Sequence, residues 1–300
     1  MNKRPGEAIL FELLRSFSTL ARTLNLSKTV EELGATRQTV RRHIDILEKN
    51  LGKKLFILVD RQYQLTKDGQ EALDEAEELL ARGQAWLSGF LRHVDGFDHI
   101  QRDDEELCYY MQQHRMTNLW NFGTPLLQAA LEAWVIAKGR LEAPEFAPMR
   151  PYLMIFREQG DDWVCVEVGD KSSYASWYGW TWQRSSVGRP LSALPGGVDF
   201  AKVTSKPFRD VATSYAARFD HIFTRIEHGD DGGTLPIAYQ RLLLRGQFAD
   251  GSFALFSIIE RTYDLEIPGL GHERIASMPP EMIMNVKPPA KHVRDLEMSS

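Results

Sequence analysis

The sequence predicts an α+β, multidomain chain: an all-α head with a small wing and a long helix, then an antiparallel five-stranded sheet with helices. Three observations carry this. Up to about residue 91 the apolar residues recur mainly at helical spacing. After Pro151 they fall in short β-branched and aromatic runs bounded by Gly, Asp and Pro. Charge is also divided: residues 1–70 hold 13 Lys+Arg against 8 Asp+Glu, and the remainder holds 23 against 33. A basic head on an acidic body suits a protein whose head alone meets a polyanion. A length of 300 residues fits about two domains.

Several classes are set aside by the same reading. No apolar run is long enough to span a bilayer. The charged start, Met1 to Glu7, is not followed by a signal-peptide pattern. Cys108 and Cys165 form no ligand or redox motif, so a reducing, cytoplasmic setting is expected. No phosphate loop, nucleophile elbow or metal-ligand motif is present, and the chain is expected not to be an enzyme.

In order along the head, Leu10, Leu13, Leu14, Phe17, Leu20 and Ala21 predict an amphipathic helix over roughly Pro5 to Thr23. Ser27 is the expected N-cap of a short second helix that Gly34 ends. Thr36 caps a third, with Val40, Ile44 and Leu47 buried. Its other face offers Arg37, Gln38, Thr39, Arg41 and Arg42. Arg and Gln there can pair with guanine or adenine edges in a major groove, and Thr can meet a phosphate or a thymine methyl. Lys53, Lys54 and Arg61 flank the wing as candidate phosphate contacts.

Phe17, Leu20-Ala21, Ser27, Leu33, Thr36, Val40, Ile44, Leu47-Glu48, Leu51-Gly52, Leu55-Phe56, Leu65-Thr66 and Gly69 follow one another without gaps. In this the head resembles the winged helix-turn-helix of LysR-type transcriptional regulators, over about the first ninety residues. The resemblance implies a winged helix-turn-helix at 1–66 bound to double-stranded DNA. Three positions depart from the pattern: Thr29-Val30 replaces a small Ala-Ala pair, Arg41 stands where Ser is usual, and Leu58 replaces a wing arginine.

Thr66 is the expected cap of a long helix with Ala72, Ala76, Leu79, Leu80 and Leu87 in its stripe. The resemblance makes residues 67–92 a linker and dimerisation helix, giving a homodimer or higher even oligomer. Packing of this helix on the chain's own body is the alternative. His93 to Asp104 is polar and reads as a hinge. Residues 105–150 are expected as connecting helices, divided or kinked at Pro125, and a Pro-rich linker.

For residues 151–263, strands are expected at Tyr152–Arg157, Trp163–Val168, Phe223–His228, Ile237–Leu244 and Phe253–Glu260. Turns fall at Gly160-Asp161-Asp162, Asp231-Gly232-Gly233 and Asp250-Gly251. A helical middle separates the first two strands from the last three, and Phe208 to Phe219 is expected as a helix against the sheet. That order, with Tyr178-Gly179-Trp180 and Gly188-Arg189-Pro190-Leu191, resembles a PAS domain in place of the usual LysR effector domain. The resemblance implies a pocket between sheet and helices. Trp163, Tyr174, Trp177, Tyr178, Trp180 and His221 are the candidate ligand-binding residues, with ordinary core as the alternative for Trp163 and Trp177. Haem and flavin both stay open as cofactors, neither indicated by a motif. Residues 264–300 are expected as an irregular tail.

The expected function is a dimeric, sequence-specific transcriptional regulator with a body that senses a small-molecule effector, without a membrane partner. Two alternatives stay open: a PAS-like body that only mediates protein contacts, and an enzyme domain with an accessory DNA-binding head.

Overall fold

The computed structural model describes residues 10–60, 62–87, 91–105, 107–160, 162–213, 216–228 and 233–287. Pro5, Arg61, the turn residues Asp161, Asp231 and Gly232, and the tail beyond residue 287 lie outside the described residues. The chain divides into two units, Met1–Leu91 and Arg92–Ser300.

The first unit runs α1 (Leu10–Thr23), α2 (Leu26–Leu33), α3 (Arg37–Leu51), β1 (Phe56–Val59), β2 (Gln62–Leu65) and α4 (Lys67–Leu87). Phe17 and Leu20 are three apart on α1, so they share a face. That face packs with Ile44 and Leu47 of α3, Phe56 of β1, and Ala76 and Leu80 of α4. Phe17 meets Phe56 edge-on, ring centroids 5.7 Å apart. Burying each such large side chain contributes about 1.5–3 kcal/mol, which secures the three-helix arrangement. Gly34 (φ +60°) and Gly52 (φ +68°) end α2 and α3 in the left-handed region, as helix C-caps favour. A Cβ on Gly69 would stand 2.2 Å from the Leu55 carbonyl oxygen, so only glycine lets α4 cross the chain there. Thr66 begins α4 as expected: its hydroxyl accepts from Gly69 N at 2.9 Å and donates to Lys54 O at 2.5 Å.

The long helix buries more within its own unit than its stripe suggests. Ala76 and Leu80 pack into the head core, while Leu79, Trp86 and Leu87 are 53%, 70% and 70% exposed.

The second unit is built on an eight-stranded sheet. In chain order it contains β3 (Leu91–Val94), β4 (Phe97–Asp103), β5 (Cys108–His114), α5 (Asn118–Phe122), α6 (Pro125–Ala137), β6 (Leu153–Gln159) and β7 (Asp162–Val168). Then follow α7 (Ser173–Ser185), α8 (Gly197–Thr213), β8 (Ala217–His228), β9 (Gly233–Gln247), β10 (Phe253–Arg261) and α9 (His272–Ile275). The strand order is β3-β4-β5-β8-β9-β10-β6-β7. The pairings from β4 through to β7 are antiparallel.

The five expected strands are all present, as β6 to β10, with helices between β7 and β8. Several expectations need correction. The sheet has eight strands, not five, because 93–104 is strand rather than hinge and 108–114 is strand rather than helix. Cys108 to Gln113 is buried throughout, and a strand buried on both faces reads as a continuous run that also satisfies helical spacing. Helices cover both faces of the sheet: α6 packs with Ile155, Leu242 and Phe256, and α7 and α8 pack with Phe156, Leu243 and Leu255. The boundary at 151 therefore cuts one sheet in two. The helix expected at 208–219 is α8, which starts at Gly197 and ends at Thr213, with β8 beginning at Ala217. Residues 264–287 are docked, with Leu265, Ile267, Ile275 and Met278 buried. Pro125 starts α6 rather than kinking a longer helix.

Candidate functional site

In the first unit, α3 presents the expected row. Arg37, Gln38, Arg41 and Arg42 are exposed and Thr39 is half-buried, while Val40, His43, Ile44 and Leu47 turn inward. Thr36 caps α3 by accepting from Thr39 N at 3.1 Å, and the two hydroxyls lie 2.9 Å apart. Ser27 does not cap α2. Asn25 does: its Oδ1 accepts from Ser27 N at 2.9 Å and Lys28 N at 3.2 Å. The cap sits two residues earlier because Leu24, at φ +49°, already turns the chain. Ser27 is instead brought to α3, where its Oγ accepts from Arg37 Nη2 at 2.8 Å. That bond tethers Arg37 and leaves Gln38, Arg41 and Arg42 as the exposed donors without a carboxylate partner among the described residues.

The lysines beside the wing are not free cations. Lys53 pairs with Asp68 at 3.1 Å, and Lys54 pairs with Glu48. Glu48, a helix residue only 6% exposed, also accepts from Leu55 N at 2.9 Å and Phe56 N at 3.3 Å. It thereby fixes the turn into the wing, a role for which the sequence offered only its fixed place before Leu51-Gly52. Ile57 and Leu58 stand exposed on β1. Buried His43 bonds to Ser16 through Nδ1 at 2.7 Å, and burial holds its basicity below the ordinary histidine range.

In the second unit a partly open cavity of about 100 Å³ lies between the sheet, α7, α8 and the 191–195 turn. Tyr174, Trp177 and Tyr178 line it, as expected of three candidates. The other three stand elsewhere. Trp163 is core, 1% exposed, edge-on to Phe208 at 5.5 Å. Trp180 is 66% exposed, because α7 breaks at Gly179 (φ 80°, ψ 179°) and the ring follows the break. His221 points to the opposite sheet face, its ring centroid 4.1 Å from that of His114 and its Nδ1 accepting from Glu266 N at 2.9 Å. Burial pushes its pKa down to about 3. A cavity of this size is far below what a haem or an isoalloxazine ring needs, and no histidine lines it. Among the described residues no group of three or more His, Cys, Asp or Glu could hold a metal ion.

Beside the cavity runs a buried charge network that the sequence reading missed. Arg241 stands opposite Asp220 in the β8–β9 register, with Nη2 donating to it at 2.8 Å. Arg218 bonds Asp220 at 2.8 Å, Asp210 at 2.6 Å and Asp98 at 3.0 Å, and Lys206 bridges Asp98 and Asp210. Asp98 is held below its ordinary pKa against the opposing effect of burial by Arg218 and Lys206, while burial pushes Asp210 up. The available signal was Arg241 itself, a cation directly before the apolar run Leu242-Leu243-Leu244 in an expected strand, since unpaired arginine is rarely buried. No helix among the described residues is long and apolar enough to cross a membrane.

Residues 11–70 match the family model for the bacterial regulatory helix-turn-helix protein, lysR family. The chain is similar to the HTH-type transcriptional activator AllS of Salmonella paratyphi A, 36% identical over 30% of this chain and 29% of that protein. It is also similar to the HTH-type transcriptional regulator CitR of Bacillus subtilis, 43% identical over 23% of this chain and 24% of that protein. Among solved structures, the CbnR DNA-binding domain in complex with DNA is 28% identical over 26% of this chain and 88% of that one, at a TM-score of 0.24. The chain thus spans less than a third of the length of these two regulators, and the likeness lies in the first unit. Residues 11–70 are on this ground a helix-turn-helix of the bacterial LysR family of regulators.

Proposed function

We propose that the protein is a dimeric transcriptional regulator that reads double-stranded DNA with α3 and senses a small molecule in the cavity of its second unit. The observation that carries the first part is the capped α3 helix, which presents Gln38, Arg41 and Arg42 to solvent from a rigid core. Its N-terminal end is the part of such a helix that reaches base edges; Arg37 opens that end tethered to Ser27, and Ser27 and Thr39 are placed for backbone contacts. The wing contributes less charge than its lysines suggest, since Lys53 and Lys54 are paired. Leu79, Trp86 and Leu87 of α4 supply an apolar surface for a second copy, which would set two α3 helices on a pseudo-palindromic site. AllS is named an activator and CitR a regulator, in keeping with this reading.

The PAS-like reading of the second unit is supported by β6 to β10. They keep the order of two strands, a helical middle and three strands, and form the contiguous block β8-β9-β10-β6-β7 within the larger sheet. Exposed Val135 and Ile136 on α6 favour the second reading, a body that only contacts another protein, but they leave the aromatic cavity without a role. The experiment is selection of full-length protein on a random duplex pool. An enriched motif with two-fold symmetry supports the proposal; a pool that stays unenriched overturns it.

A further inference from the structure

Resting on the sensing role just proposed, we infer that the cavity takes a small, flat, uncharged molecule of about one ring, which offers a hydrogen-bonding oxygen to Thr204 and Arg241. Size is the first argument. A dry cavity of about 150 Å³ accommodates benzene, and the enclosed space here is about 100 Å³ with one side partly open. A single ring fits, with a substituent directed outward. The walls are the second argument: Met154, Trp177, Leu191, Phe208 and Ile237 offer flat and aliphatic contact to a ring.

The polar atoms decide the chemistry. Thr204 lines the cavity, is 2% exposed, and its hydroxyl has no hydrogen-bond partner. The buried Tyr109 hydroxyl lies beside it; the two interact with each other, but neither makes a hydrogen bond of good geometry. Leaving such groups unsatisfied is costly, so a ligand oxygen that pairs with them is favoured. Arg241 is the one charged residue among the described lining residues. Its Nε and Nη2 are held by Asp220 at 3.2 and 2.8 Å, and Nη1 makes no bond to the described residues.

Charge balance then argues against an anion. Lys206, Arg218 and Arg241 are matched by Asp98, Asp210 and Asp220 in one bonded network. A carboxylate ligand would add a buried charge with no counter-ion left to meet it. A hydroxyl or carbonyl oxygen accepts from Arg241 at no such cost, and a hydroxyl can also donate.

The test uses three probes on the full-length protein at neutral pH: phenol, toluene and benzoate, with calorimetry and intrinsic tryptophan fluorescence as readouts. Phenol is uncharged there, since a phenolic hydroxyl ionises near pH ~10. Phenol is expected to bind about 3–10-fold more tightly than toluene, the range one net hydrogen bond supplies, and benzoate at least about tenfold more weakly than phenol. Thr204→Val removes a hydroxyl whose one neighbour is the weakly placed Tyr109 hydroxyl, so it is expected to fold, to keep toluene binding and to reduce the advantage of phenol, Arg241 supplying what remains. Benzoate binding as tightly as phenol overturns the uncharged class. Toluene matching phenol, or a phenol advantage undiminished in Thr204→Val, overturns the polar anchor. Absence of binding by all three at millimolar concentration overturns the ring-sized site. The sensing role fails separately, if a chemically broad metabolite panel leaves DNA binding by the same protein unchanged.

Discussion

Replacing Glu48 by alanine tests how the wing is attached to α3. The carboxylate accepts from Leu55 N at 2.9 Å and Phe56 N at 3.3 Å, and both residues are buried. Alanine leaves two buried N–H groups without that acceptor, at about 1–3 kcal/mol each. The longer Phe56 bond is the weaker, and water entering the vacated space offsets part of the loss, so about 2–4 kcal/mol is expected in total. The ion pair with exposed Lys54 adds little. Glu48→Gln keeps one acceptor oxygen and should cost about 1 kcal/mol. Hydrogen exchange of the Leu55 and Phe56 amides reads this locally. Alanine should accelerate it by roughly 30- to 1000-fold and glutamine by roughly fivefold. Exchange in Glu48→Ala within about threefold of the parent would refute the argument that this carboxylate holds the turn.

Three further outcomes are expected. Arg41→Ala should weaken binding to the selected site by about 1–3 kcal/mol in gel-shift titrations, with little change on unrelated duplex DNA; equal loss on both would make Arg41 a phosphate contact only. Leu79→Glu with Trp86→Glu should convert the proposed dimer to monomer by sedimentation at micromolar concentration, and an unchanged dimer would remove α4 from the interface. Acid should destabilise the second unit through His221. Its folded pKa, about 3, lies below the ordinary 6.5, so the unfolded chain binds more protons between those values and stability falls as pH drops below 6.5. From pH 7.5 to 5 the loss from this residue is about 2 kcal/mol, and His221→Gln should flatten urea midpoints over that interval; the same slope in both proteins would contradict the assignment.

The first unit was legible because its signals are local. Apolar spacing, Gly34, Thr36 and Thr66 each act within a few residues, and each does the expected work. The cap at Asn25 was displaced by a left-handed Leu24, a conformation that side-chain chemistry does not announce. The second unit was legible only where strands alternate or end at turns. Strands β4 and β5 were hidden by buried Asp98, His99, Gln112 and Gln113, which read as solvated residues. Their burial depends on remote partners: Lys206 reaches Asp98 from α8 and Arg218 from across the sheet. A cation in an apolar strand was the one sequence trace of that network. Aromatic density found the cavity through Tyr174, Trp177 and Tyr178, but it could not separate wall from core, which is why Trp163 fell on the wrong side.

The most direct measurement is the affinity of the full-length protein for its selected duplex relative to a scrambled duplex of the same length, at one physiological salt concentration. A ratio of about 10³ or more is expected of a sequence-reading helix. A ratio near one would mean that Gln38, Arg41 and Arg42 meet only the phosphate backbone, and would contradict sequence-specific regulation by this chain.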